Sequence, residues 1–314
     1  MSAATETPAR TASAAPHRPL LVLAGAMAVG ALLCAIALVV DPRELGGQPL
    51  WGKPLKFCLS IALYAVTLAW LIGLVPRRRR LARALGTVAA VGLAVEMVVI
   101  GGAALVGERS HFDVSTPLHA ALWASMAVSI MVVWLATLVL AALLARVPLG
   151  DPALTLAVRA GLVIGLVGMA LAFLMTGPSP GQISDYQGVV GAHAVGVADG
   201  GPGLPLLGWS TTGGDLRIPH FVGMHALQGL PLLALLLGGL AARIPVLRPG
   251  STRLRLVALA SAGWAAAVAL TCWQALRGQA LTAPDALTLA VATVAVVALA
   301  GGTILTLART EARA

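Results

Sequence analysis

Along this chain, runs of apolar residues long enough to cross a bilayer alternate with short polar connectors. A helix rises about 1.5 Å per residue and the hydrocarbon layer is about 30 Å thick, so a span needs about 20 mainly apolar residues. Eight segments qualify, at approximately 20–40, 55–75, 84–106, 118–145, 156–175, 220–242, 256–276 and 285–308. The pattern predicts an all-α fold, a polytopic transmembrane helix bundle of about eight spans. It forms a single domain over 20–309, with 176–219 as a long external loop or cap between spans 5 and 6. Residues 1–19 are rich in Ala, Thr, Ser and Pro and lack apolar periodicity, which predicts a disordered cytoplasmic tail, and 310–314 form a second tail. The first apolar run, Leu20 to Val40, is longer than the roughly 7 to 15 residues of a secretory signal core and reads as span 1.

Composition agrees with a lipid environment. The chain is 59% hydrophobic and 11% charged, against about 25% charged residues in soluble domains. Its net charge of +9 does not describe a nucleic-acid-binding surface, because the basic residues sit in connectors beside apolar runs. With the N-terminus inside, the inside segments collect Arg10, Arg18, Arg77 to Arg80, Arg83, Arg146, Arg159, Arg243, Arg248, Arg253, Arg255, Arg309 and Arg313. The outside keeps Arg43, Lys53, Lys56, Arg109, Arg217 and Arg277. That bias places both termini in the cytoplasm, with the lipid bilayer as the chain's first partner. Cys34, Cys58 and Cys272 lie in or beside different spans, which argues against a disulfide framework. Leu33 stands where a lipoprotein signal before Cys34 needs a small residue. Gly161, Gly165 and Gly168 in span 5 have no preceding strand, so they predict close helix packing in place of a dinucleotide fold.

Polar residues concentrate toward the outside in four pieces. Trp51 to Phe57 leads into span 2, where Lys56, Ser60, Tyr64 and Thr67 share one helix face. Lys53 and Lys56 also read as snorkelling lysines beside an interfacial Trp51. Glu96 lies roughly 15 Å below the outer end of span 3, where a lone carboxylate marks a functional position. The connector Gly107 to His119 carries Glu108, Arg109, His111 and Asp113, with Thr116 and Pro117 as a helix start that places His119 just inside span 4. The long connector is Gly- and Pro-rich, but Leu206, Leu207 and Trp209 predict a folded cap or partly re-entrant segment. It leads to a local Asp215–Arg217 ion pair and to span 6. There His220 and His225 are about 140° apart on the helix, His225 and Gln228 share a face, and Pro231 follows.

WGKPLKF, ERSHF and GDLRIPHFVGMHALQGLP resemble segments of uncharacterised bacterial multispan inner-membrane proteins. The resemblance covers most of the spans and implies a multispan inner-membrane fold, with no activity attached. The residues themselves predict a polar pocket open to the external face, for a small-molecule ligand, solute or proton. It would be built from Lys56, Tyr64, Glu96, His119, Asp215, Arg217, His220, His225 and Gln228. A redox alternative places a haem b between His119 and His225, with Trp123, Met126 and Phe221 as apolar walls, or a metal among His193, Asp199, Asp215 and His220. A third alternative is a scaffold in which the polar groups only lock helices together.

Overall fold

The computed structural model describes residues 16–312. The tail segments 1–15 and 313–314 lie outside the described residues. Among the described residues, ten α-helices run in the order α1 (Arg18–Val40), α2 (Gly52–Gly73), α3 (Arg79–Val106), α4 (Pro117–Leu144), α5 (Pro152–Ala170), α6 (Phe173–Thr176), α7 (Pro180–Ser184), α8 (Arg217–Leu240), α9 (Gly250–Leu276) and α10 (Ala286–Glu311). Two antiparallel ladders of two-residue strands, β1 (Glu44–Leu45) with β2 (Gln48–Pro49) and β3 (Ala194–Val195) with β4 (Gly214–Asp215), and a 3-10 turn at Pro245–Leu247 complete the described part. The eight long helices are long and apolar enough to cross a membrane. The protein is an integral, multi-pass membrane protein. The connectors 74–78, 145–151 and 241–249 define an arginine-rich face, and 41–51, 107–116, 171–216 and 277–285 a long-loop face.

Several helices begin before their apolar runs, because capping satisfies the orphan N–H groups of a helix start with polar side chains that hydropathy ignores. Asp151 accepts from the N–H groups of Ala153 and Leu154 and pairs with Arg253 at 3.0 Å, so α5 starts at Pro152. Thr116 accepts from the His119 N–H to start α4. At α1 the His17 ring is 2% exposed, accepts from the Leu20 N–H and lies 2.9 Å from the Arg83 carbonyl oxygen. The ordered bundle therefore includes His17 and Arg18, which the hydropathy pattern had placed in the tail.

Toward the arginine-rich face the helices close on a core that includes Leu68, Leu71, Ile72, Leu140, Leu144 and Leu162. The seam between α5 and α8 runs on small residues, as the glycine spacing predicts. A Cβ at Gly161 would meet the Ala226 carbonyl oxygen at 2.8 Å, and one at Gly168 would collide with the backbone of Gly223 and Met224. On its next side α8 meets α9, where the Trp264 indole donates to the Val222 carbonyl at 2.7 Å and covers Gly229.

The connector 171–216 is a folded cap. It joins the 107–116 connector through Val190 N–H to Phe112 O and Val114 N–H to Gly188 O, both at 2.8 Å. Phe112 has φ of 67°, and Gly191, at φ of 110°, leaves room for its ring, since a Cβ there would crowd it. Leu206, expected to help bury the cap, points outward at 75% exposed. The turn instead closes through the Leu204 N–H to Trp209 O bond and the Asp215 carboxylate.

Candidate functional site

Beneath the cap a cavity of about 1890 Å³ opens between α2, α3, α4, α5, α6 and α8. From α2 come Lys53, Lys56, Ser60 and Tyr64. Lys56 Nζ donates to the Leu207 carbonyl at 2.7 Å and so ties α2 to the cap, whereas hydropathy reasoning had pointed it to headgroups. The Thr137 hydroxyl donates to Val133 O, so the Tyr64 hydroxyl, 2.5 Å from Thr137 Oγ1, is the donor of that pair and bridges α2 to α4. Thr67 leaves the stripe, donating to the Leu63 carbonyl of its own helix.

Glu96 on α3 is 3% exposed. Its Oε1 lies 3.7 Å from His111 Nε2, and its Oε2 has no hydrogen-bond partner among the described residues. The His111 ring is enclosed by Phe57, Phe112 and Trp123, with centroids 5.7, 6.0 and 5.3 Å away. Burial holds His111 well below the ordinary histidine range and the charge of Lys53 pushes the same way, so the imidazole is neutral at physiological pH. Lys53 is within electrostatic reach of Glu96, His111 and His193, and its ammonium makes no hydrogen bond among the described residues.

The cap adds a histidine–aspartate pair. His193 Nδ1 donates to Asp199 Oδ2 at 2.9 Å, and the same carboxylate accepts the backbone N–H groups of His193 and Ala194. Burial would raise the Asp199 pKa, but the bond from His193 and those N–H donors overcome it and hold it below the usual carboxylate range. Burial lowers His193 in spite of the Asp199 contact, which leaves a neutral ring with Nδ1 protonated. Its ring meets the Phe112 ring in a T-shaped contact, centroids 4.8 Å apart.

At the start of α8, Arg217 donates from Nε and Nη2 to Asp215, with a shortest distance of 2.6 Å, and from Nη2 to Gly208 O. Asp215 is 1% exposed and also receives the Ser210 N–H. His220 Nδ1 donates to the Gly168 carbonyl at 2.7 Å across the α5 seam. His225 Nδ1 and Gln228 Oε1 are 3.3 Å apart. Both histidines reach the cavity wall in spite of their angular separation, because the cavity is wide enough to run round that side of α8.

The structure thus brings Lys56, Tyr64, Glu96, Arg217, His220, His225 and Gln228 to one cavity. His119 and Asp215 are not among its lining residues. Asp215 stands behind Arg217. Both ring nitrogens of His119 are engaged, with Nε2 3.0 Å from Glu108 Oε2 and Nδ1 3.0 Å from Thr116 Oγ1. An axial pair from His119 and His225 does not fit this arrangement. The metal set considered from the sequence is likewise dispersed, His193 on Asp199, Asp215 on Arg217 and His220 on Gly168. No group of three His, Cys, Asp or Glu side chains is placed for a metal among the described residues. No family model, curated protein or solved structure matches the chain. Geometry alone therefore carries the functional reading. Sequence reasoning left Lys53, His111, His193 and Asp199 out of the pocket, although HisPhe at 111–112 and the polar 193–199 turn were visible.

Proposed function

We propose that this protein binds a small-molecule ligand in the cavity under its cap, from the external side of a bacterial inner membrane, with both termini cytoplasmic. The arginine bias supports that orientation. The observation that carries the reading is Glu96, a carboxyl 3% exposed on a cavity wall with one oxygen unbonded. An unsatisfied buried polar group costs about 1–3 kcal/mol and a charged one more. A purely structural carboxyl would have found a donor or been replaced by an apolar residue, whereas a ligand site keeps its polar groups available. The scaffold alternative accounts for Tyr64 with Thr137 and for His220 with Gly168, but leaves Glu96 and Lys53 without a purpose. Dense packing around Leu68, Leu71, Leu140 and Leu144 below the cavity favours a pocket or occluded carrier over an open channel.

Ser60 on the cavity wall provides the test. In a background with Cys34, Cys58 and Cys272 replaced by serine or alanine, Ser60→Cys should react with a charged, membrane-impermeant thiosulfonate added outside intact cells. A cysteine at lipid-facing Val139 should stay unreacted. Absence of labelling at position 60, or labelling only from the cytoplasmic side of inverted vesicles, overturns the reading.

A further inference from the structure

The cavity holds opposite requirements close together, and they constrain what can fill it. Among the described residues, Lys53 offers a cation without a hydrogen-bond acceptor, and Glu96 offers an acceptor oxygen without a donor. The two are within electrostatic reach of each other, but no hydrogen bond joins them. The other charges of the wall are held by partners or, like Arg109, exposed. Arg217 is held by Asp215 and Gly208, Lys56 by Leu207, and Asp199 by His193. Whatever completes the site must bring an anionic oxygen and a proton donor on one compact head.

Size and surroundings define the rest. About 1890 Å³ exceeds the roughly 300–1,000 Å³ of ordinary small-molecule pockets. Between its polar groups the wall carries an apolar stretch that includes Leu93, Ile130, Met131, Phe173 and Leu227. The cavity also runs out to the bilayer. Leu59 lines it and belongs to the exposed stripe Leu59, Leu63 and Val66 of α2. Met131 lines it and belongs to the exposed stripe Val128, Met131, Leu135 and Leu138 of α4. A ligand with a long apolar chain enters such a space from the membrane without crossing water.

We infer that the ligand is a long-chain phosphate monoester whose head sits between Lys53 and Glu96 and whose chain lies along the α4–α6–α8 wall. A phosphate monoester has a second pKa near 6, so near neutral pH it is accessible as a monoanion carrying both an anionic oxygen and an acidic hydroxyl. Lys53 pairs with the anionic oxygen, and the hydroxyl donates to Glu96 Oε2. A phosphate diester has the charge without the proton, and an uncharged amphiphile has neither. Inorganic phosphate has the head without the chain.

This inference rests on the ligand pocket proposed above, and native mass spectrometry tests it separately. The full-length protein, released from dodecyl maltoside, is titrated with dodecyl phosphate, dodecylphosphocholine or inorganic phosphate. The detergent itself serves as the uncharged twelve-carbon competitor. The expected result is a one-to-one dodecyl phosphate adduct at concentrations at least tenfold below those needed for dodecylphosphocholine, with no inorganic phosphate adduct. Lys53→Met should weaken the adduct at least tenfold and Lys53→Arg should restore it, while Glu96→Leu should abolish the preference for monoester over diester. Equal binding of monoester and diester overturns the proposal, as does binding of inorganic phosphate at the same concentration, and neither comparison depends on a variant that folds. An unaffected Lys53→Met adduct overturns it too. If Ser60→Cys labels from outside while no alkyl phosphate binds, the ligand class is wrong and the pocket stands. If position 60 is closed, the pocket itself fails.

Discussion

Helix α8 presents two faces that meet opposite demands. Toward α5 it carries Gly223, Ala226 and Leu230, and the two backbones approach until a single added methyl group would collide. Toward α2, α3 and α4 it carries Phe221, His225 and Gln228, and there it faces a cavity. Lipid chains supply no hydrophobic drive for helix pairing, so close van der Waals contact has to hold the helices together. The α5 face supplies it, and with Trp264 of α9 on a third side it fixes α8 in place. Its remaining face is then free to carry polar side chains that do not pack. Stability and chemistry are divided between sides of one helix.

The largest expected effect breaks the packed face. Gly223→Val places atoms against the Gly168 Cα and the Ile164 carbonyl oxygen, which are backbone atoms unable to rotate away. A loss of about 3 kcal/mol is expected, read as loss of a monodisperse peak in detergent or a sharp drop in the thermal midpoint. A well-folded Gly223→Val would show that the seam is not what holds α8. The next effect comes from acid. Burial sets the folded-state pKa of both His111 and His193 below the ordinary value of 6.5, so the unfolded chain takes up these protons first. Their contribution is complete above pH 6.5 and is lost progressively as pH falls below it. The thermal midpoint should therefore fall between pH 7.5 and 5.5 as ordinary test conditions of about one pH unit either side of that value, with a shallower fall in His111→Phe. A midpoint flat over that range, or a His111→Phe slope as steep as the parent's, contradicts the burial argument. Depressed carboxylates such as Asp199 act at lower pH, where stability is lost as pH falls below about 3.8. The smallest effect tests the cavity face. Gln228→Leu removes only its contact with His225, so the midpoint should move by less than about 1 kcal/mol equivalent, and a collapse of the fold would mean that this face packs after all.

The spans were legible because hydropathy over some twenty residues is a local property, and the glycine seam because small residues four apart have one common use in lipid. Glu96, Tyr64, His225 and Gln228 were legible as polar residues inside apolar runs. His111 and His193 were not, because their positions depend on the left-handed turn at Phe112 and on its pairing with Val190 across the cap. No short window of sequence contains that contact. His119 misled for the opposite reason. It sits at a helix start, where Glu108 and Thr116 satisfy it locally, and a position inside a span does not by itself make a side chain face inward.

The wall of the cavity is assembled from distant parts of the chain. Lys53, Glu96 and His111 are synthesised about 100 residues or more before Arg217 and His225. At about 5–20 residues per second that interval lasts from roughly 5 s to more than 20 s. During it the first four helices reach the membrane with Glu96 and Lys53 facing a side that no helix yet covers. Biogenesis therefore has a vulnerable interval built into the gene order, in which the nascent bundle depends on the insertion machinery, or on water beside it, to shelter two ionisable side chains that the finished protein encloses.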